Sequence, residues 1–144
     1  MRSAFTPDRV IARAPRRLVV SAPVAARRPD ARPARGLAVI TCMDCRVDPE
    51  QALGLHLGDA HIIRNAGASL DRSVLRSLRL SQALGTTEIV VLGHTDCRGL
   101  EADQSPRVSI AQAVRELRRS SLPQTDGIRG LLLVLETGEV DVVA

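Results

Sequence analysis

The chain lacks lysine, tryptophan and tyrosine, and its one aromatic side chain is Phe5. A protein so poor in aromatics has almost nothing on which to stack bases or sugars, which argues against a single-stranded nucleic-acid platform. The core must be assembled from Leu, Val, Ile and Ala. Long apolar runs are missing from the first 35 residues too: no stretch there reaches the length of a membrane span or of the hydrophobic segment of a secretion signal. Cysteine is scarce and odd in number, with Cys42, Cys45 and Cys97. That count, without a secretion signal, points to a reducing cytoplasm and to thiols used for metal or catalysis, not disulfides.

What is present divides unevenly. At 144 residues and 44% apolar content, the chain has the size of about one domain with an ordinary core. All 20 basic residues are Arg, and nine of them precede residue 36 against only Asp8 and Asp30. Five of the eight prolines share that stretch. Residues 1–35 therefore read as an Arg- and Pro-rich leader, a poorly packed extension; a basic arm for nucleic acid or a membrane surface is the rival reading. Residues 36–144 carry 11 Arg against 14 acids and read as the folded domain. The basic pI belongs to the leader.

From Leu37 onward, strand and helix signals alternate. "LAVITC" (37–42), "HIIRN" (61–65) and "EIVVLG" (88–93) are short apolar, β-branched runs of the kind buried in parallel sheets. Asp48-Pro49 predicts an N-cap and a first helical proline, opening a short helix that ends near Gly58. Leu70, Val74 and Leu78 recur at helical spacing after the first strands, with Asp71 at the start and Gly85 as the stop. Ser109 and Gln112 form a capping box before the helical face of Ile110, Val114 and Leu117. "LLLVLE" (131–136), Thr137-Gly138 and "EVDVV" (139–143) predict a strand, a tight turn and a closing strand. This alternation argues for an α/β fold, a parallel sheet with helices on both faces.

"CMDCR" (42–46) and "HTDC" (94–97) each follow the carboxyl end of a predicted strand. In an open parallel sheet those ends share one edge, where ligands collect at the point of strand-order reversal. Two thiolates and an imidazole are good zinc ligands, and three protein ligands leave a fourth position for water, whose pKa falls to about 7 there. In an extended segment, a period of two puts Cys42, Asp44 and Arg46 on one face and turns Cys45 away. An Arg-clamped carboxylate keeps its charge and can accept a hydrogen bond from a metal-bound water. The rivals are a closed four-ligand site of Cys42, Cys45, His94 and Cys97, a redox-active cysteine pair, and residues that bind no metal.

"CMDCR", "RNAGA" (64–68) and "HTDC", in this order and spacing, resemble the β-class carbonic anhydrases from about Leu37 to the C-terminus. The likeness is greatest to the short bacterial branch, which includes relatives that hydrolyse carbonyl sulfide or carbon disulfide. It implies a sheet of about four parallel strands plus an added antiparallel strand. It implies zinc on Cys42, His94 and Cys97, with Asp44 and Arg46 as an orienting dyad. It also implies a homodimer whose pocket is partly built by the neighbouring subunit. Cys45 falls where the family has a small residue, which supports three ligands over four.

The implied activity is that of a zinc lyase interconverting carbon dioxide and bicarbonate through zinc-bound hydroxide. A hydrolase of carbonyl sulfide or carbon disulfide at the same site is the alternative, and a non-catalytic zinc-stabilised paralogue a third. No nucleic-acid or membrane partner is expected. Three departures from the family pattern stand out. Arg98 replaces the glycine that follows the second zinc cysteine, with Gly99 one step later; the stretch from Cys97 to the next helix is short; and the leader does not resemble the family's N-terminal helices. Arg98 is a candidate substrate-binding residue, as is Gly67, which is also expected to allow a tight backbone turn. Arg64 and Asn65 are expected to support the sheet edge, Asp96 to cap a turn, and His56 and His61 to be structural or exposed. The Arg118–Arg119 pair reads as solvated.

Overall fold

The structure is a computed structural model that describes residues 30–144; residues 1–29, most of the expected leader, lie outside the described residues. Four strands run parallel: β1 (Leu37–Cys42), β2 (Ala60–Asn65), β3 (Glu88–His94) and β4 (Gly127–Leu133). The short β5 (Val140–Val142) adds antiparallel to β4, giving the order β2-β1-β3-β4-β5. This is the mixed sheet that the resemblance implied. Three helices connect the strands: α1 (Pro49–Leu53), α2 (Arg72–Ala83) and α3 (Pro106–Arg118). No described helix is long and apolar enough to cross a membrane.

Both faces of the central strands are buried, and the alternation along each strand divides their side chains between two apolar layers. Ala38 and Ile40 of β1, with Ile89 and Val91 of β3, face α2 and α3. There they meet Val74 and Leu78, and Ile110, Val114 and Leu117. Val39, Val90 and Leu92 face the other way, onto Val47, Leu55 and the α1 segment. Each fully buried Leu or Ile contributes about 1.5–3 kcal/mol by leaving water. With so few aromatics, this stability rests on many branched aliphatic contacts. Close packing of α3 needs glycine on the sheet: a Cβ on Gly130 would stand 2.6 Å from Ile110 Cγ2, and one on Gly93 2.6 Å from Ile110 Cδ1, so the bare backbone of β3 and β4 lets α3 settle there.

Several boundaries differ from the sequence expectation. Asp48 caps α1 as expected, its side chain accepting from the Gln51 N–H, but the helix stops at Leu53 and not near Gly58. Gly54 takes the left-handed conformation there (φ 62°, ψ 39°) and closes it four residues early. The expected Ser109/Gln112 capping box does not form. Pro106, whose ring presets the helical φ and has no N–H to satisfy, begins α3 behind Ser105. The Ser109 N–H donates to the Ser105 carbonyl at 3.0 Å, already inside the helix. β4 starts at Gly127, four residues ahead of the expected strand, and ends at Leu133. The chain then turns with Gly138 N–H donating to the Val134 carbonyl.

The last residues of the expected leader belong to the ordered body. Ala34 and Arg35 donate backbone hydrogen bonds to Gly58 and Asp59, each at 2.9 Å. His61 joins this seam as a structural residue: its ring stands 2.7 Å from both the Ser81 hydroxyl and the Ala31 carbonyl.

Candidate active site

The strand order places β1 and β3 side by side, with β2 beyond one and β4 beyond the other. A crevice opens at their carboxyl ends for that reason, since the connections leave in opposite directions. Cys42 is the last residue of β1 and His94 the last of β3. Cys97 follows in the loop after β3. The three ligand atoms lie within 4.8 Å of one another, and the two Sγ atoms are 3.8 Å apart. Two thiolates about 2.3 Å from one tetrahedral ion would be separated by roughly that distance.

The histidine shows which atom faces the gap. His94 is 1% exposed. Its Nδ1 lies 2.7 Å from the Thr95 carbonyl, which can only accept, so Nδ1 carries the proton. Nε2 therefore presents a bare lone pair, and it is a buried polar atom with no hydrogen-bond partner. A buried acceptor without a donor is costly unless a cation or a ligand occupies the space before it. Two soft sulfurs and one imidazole suit zinc in that role. Burial raises the Cys97 thiol above its ordinary pKa.

Thr95 is itself fixed. Its hydroxyl donates to Glu136 at 3.0 Å and accepts from the Leu135 N–H at 3.0 Å. Gly67, with φ 73°, directs its N–H at Cys42 Sγ from 3.3 Å. The expected tight turn is present, and its glycine lines the cavity over the thiols together with Leu100, Pro106 and Ile110. That cavity measures about 10 Å³, room for a single water.

Asp44 and Arg46 come together as expected, but for a different reason. The segment does not run on as a strand: residues 45 and 46 form a turn. Asp44 instead nucleates a turn, its Oδ1 accepting from the Arg46 N–H at 2.9 Å and its carbonyl from the Val47 N–H at 3.0 Å. The Arg46 side chain then closes on the same carboxylate, Nε to Oδ1 at 3.0 Å and Nη2 to Oδ2 at 2.7 Å. These bonds hold the Asp44 carboxyl far below the usual carboxylate range and the Arg46 guanidinium above its own. Asp44 Oδ2 stands 3.9 Å from His94 Nε2. Arg64, from β2, supports the turn by donating to the carbonyls of Cys42, Asp44 and Val47 at 2.9–3.0 Å. Asn65 binds Ser69 through both its amide oxygen and nitrogen, tying off the turn that carries Gly67.

Other expected residues fall outside the cluster. Cys45 is exposed on the outside of the turn and is not among the converging ligands. Arg98 does not line the small cavity; its side chain is 85% exposed and faces Asp96, Nη2 to Oδ1 at 3.4 Å. Asp96 does not cap its own turn. Its carboxylate accepts from Arg46 Nη1 at 2.9 Å instead, and that bond, followed by the Arg98 charge, lowers its pKa. Sequence reasoning missed this partnership and the Thr95–Glu136 support. The first had a signal in the form of an acid inside "HTDC"; the second, between residues 41 positions apart, had none.

Comparison with known proteins agrees with this geometry. The sequence profile of the family described as carbonic anhydrase matches residues 37–129. β-Carbonic anhydrase 1 of Mycobacterium tuberculosis (strain ATCC 25618 / H37Rv) is 34% identical over 137 residues, covering 77% of this chain and 83% of that protein. A carbon disulfide hydrolase of Acidianus sp. (strain A1-3) is 52% identical over 64 residues, 44% of this chain but only 31% of its own length. Among solved structures, the carbonic anhydrase of Streptococcus mutans superposes with a TM-score of 0.70 and 38% identity, covering 78% of this chain and 84% of that one. With its parallel sheet, its Cys-His-Cys cluster at the strand-order reversal and these relatives, the chain belongs to the β-carbonic anhydrase family.

Proposed function

We propose that this protein interconverts carbon dioxide and bicarbonate, with Cys42, His94 and Cys97 as zinc ligands and Asp44 and Arg46 as the groups that orient the reacting water. The observation that carries the reading is the bare, buried Nε2 of His94 among two thiols, with the Asp44 carboxylate 3.9 Å away. A zinc ion on these ligands supplies a Lewis acid that makes water nucleophilic at neutral pH. The protein's own residues do the rest. Asp44 is held ionised by Arg46 and so offers a fixed acceptor for a water O–H, leaving the oxygen lone pair directed at the carbon of the substrate. Leu100, Pro106 and Ile110 present an apolar wall beside the ligands, which suits a small neutral gas better than an ion. Water and carbon dioxide then give bicarbonate and one released proton.

Hydrolysis of carbonyl sulfide or carbon disulfide at the same ligands is the second reading, supported by the 52% identity to the hydrolase over the stretch that aligns. Stopped-flow hydration of carbon dioxide by metal-quantified protein, repeated with both sulfur compounds, separates them. Carbon dioxide hydration well above the buffer rate is the expected result. A fully zinc-loaded protein inactive on all three would overturn both readings in favour of a zinc-stabilised protein without catalysis.

The protein is further proposed to act as a homodimer or larger homo-oligomer in the cytoplasm. Free thiols used as metal ligands support a reducing compartment. The short edge strand β5 leaves Val142 76% exposed, an apolar edge that a second copy could cover.

A further inference from the structure

We propose that Asp96 is a positioning residue for the Asp44–Arg46 pair, acting on it through the Arg46 guanidinium. The inference rests on the roles given to Asp44 and Arg46 above. Arg46 is 44% exposed along its side chain, and an arginine so open to water ordinarily exchanges between rotamers, so that a single surface ion pair holds it weakly. Here the guanidinium is fixed on two sides. Nε and Nη2 engage the two oxygens of Asp44. Nη1 donates to Asp96 Oδ2 at 2.9 Å, and Nη2 donates to the Asp96 carbonyl at 3.0 Å. A planar fork held at both edges has no free rotation left, which is the advantage of arginine over lysine at such a place.

The second anchor comes from a segment 50 residues away, the loop joining His94 to Cys97. One loop therefore carries two of the metal ligands and also fixes the partner of Asp44, tying the two halves of the site into one geometry. Asp96 adopts φ 50°, a left-handed conformation that Asp, Asn and Gly tolerate and other residues avoid. Among the described residues its carboxylate receives no backbone N–H, so a local turn does not account for the side chain. Arg98 approaches the remaining oxygen, so that charge alternates along Asp44, Arg46, Asp96 and Arg98.

The conformation supplies clean variants. Asp96→Gly removes the carboxylate and keeps the positive φ without strain; Asp96→Asn keeps both the φ tolerance and an oxygen acceptor. Carbon dioxide hydration is measured on zinc-quantified protein. In parallel, solvent exchange of the Arg46 Nε–H is followed by NMR, its signal identified by its loss in Arg46→Lys. Asp96→Gly should retain zinc, lower kcat roughly tenfold with KM little changed, and accelerate Nε–H exchange. Asp96→Asn should restore most of both. Introduced into Arg46→Ala, Asp96→Gly should cost nothing more. Wild-type kcat and exchange in Asp96→Gly, or a further loss in the Arg46→Ala background, would overturn the proposal, as would loss of zinc from Asp96→Gly. The exchange measurement needs no turnover: a wild-type protein inactive on carbon dioxide would remove the functional reading, while exchange would still decide the coupling of Asp96 to Arg46.

Discussion

Gly67 and Gly99 pass so closely that a Cβ on Gly99 would stand 2.4 Å from the Gly67 nitrogen, and one on Gly67 would stand 2.7 Å from the Gly99 carbonyl oxygen. Gly67 lies in the turn after β2, whose N–H meets Cys42 Sγ, and Gly99 lies just after Cys97, so the contact joins the segments that back the two thiols. Every close neighbour of a Gly99 Cβ is backbone, and backbone cannot step aside as a side-chain tip can. Gly99→Ala is expected to cost about 1–3 kcal/mol by overpacking. Gly67→Ala adds a left-handed strain of about 1–2 kcal/mol to a clash of the same kind. Gly138 offers the control: its φ is 77° and nothing lies within 4 Å of its Cβ position, so Gly138→Ala should cost the strain alone. Urea midpoints of the three variants check the ranking, and Gly99→Ala should also release zinc to a chelator faster than the wild type.

The three-ligand assignment separates the cysteines. Cys42→Ser and Cys97→Ser each remove a thiolate from the converging group and should lose zinc on purification. Cys45 is exposed and outside that group, so Cys45→Ser should keep a full complement. Zinc content measured against protein concentration decides it. Equal loss from Cys45→Ser would restore the closed four-ligand site.

Much of this site was legible in the sequence because it sits where local signals are strong. Cys42 and His94 end the two most buried strands, and the β-branched runs before them announce those strands plainly. Helix starts at Asp48 and Asp71 were legible through their caps, each of which accepts the expected backbone N–H. The rest depended on partners distant in the chain or on conformation that composition does not encode. Ser109 looked like a cap, yet Pro106 had already opened the helix three residues earlier. The period of two pairs Asp44 with Arg46 only on extended backbone, whereas a turn driven by the Asp44 carboxylate brings them together. The link from Arg46 to Asp96 spans 50 residues and forms only once β1 and β3 are neighbours.

Asp44 should matter to turnover and not to metal retention. Asp44→Asn keeps the shape but replaces one acceptor oxygen by an N–H donor, which competes with the water for the wrong polarity of hydrogen bond. Its bidentate match to Arg46 is lost as well. Zinc content should stay at the wild-type level while kcat falls by roughly 10²–10⁴-fold, the usual range for a positioned proton-handling group. An Asp44→Asn protein with full activity would remove the dyad from the chemistry.

Acid stability follows from the same cluster. The Arg46 hydrogen bonds depress both Asp44 and Asp96 in the folded state. A carboxylate with a lowered folded pKa binds fewer protons folded than unfolded, so its contribution is present above the ordinary range of about 4 and is lost as pH falls below it. In zinc-free protein, the stability difference between wild type and Arg46→Gln should be constant from pH 7 down to about 5 and then shrink. Urea titrations across that range measure it. A difference that grew toward acid would mean that Arg46 does not hold these carboxylates.

Arg98 is the residue at which the chain departs most visibly from the family motif, and its placement predicts a small effect. Its guanidinium is 85% exposed and stands 3.4 Å from Asp96 Oδ1, a distance at the limit of a hydrogen bond. Exposed pairs of this kind contribute little, and salt screens them further. The close approach that the motif needs is supplied next door by Gly99, whose missing Cβ leaves room for the Gly67 backbone. Arg98→Gly should therefore keep zinc, stay within about twofold of the wild-type hydration rate, and show the same inhibition by small anions such as azide or thiocyanate. Salt provides an internal check: raising ionic strength should erase whatever small difference Arg98→Gly produces, because only a screened surface charge was removed. Weaker anion inhibition in Arg98→Gly, persisting at high salt, would show instead that the guanidinium turns inward when an anion is bound, and would make Arg98 a determinant of substrate.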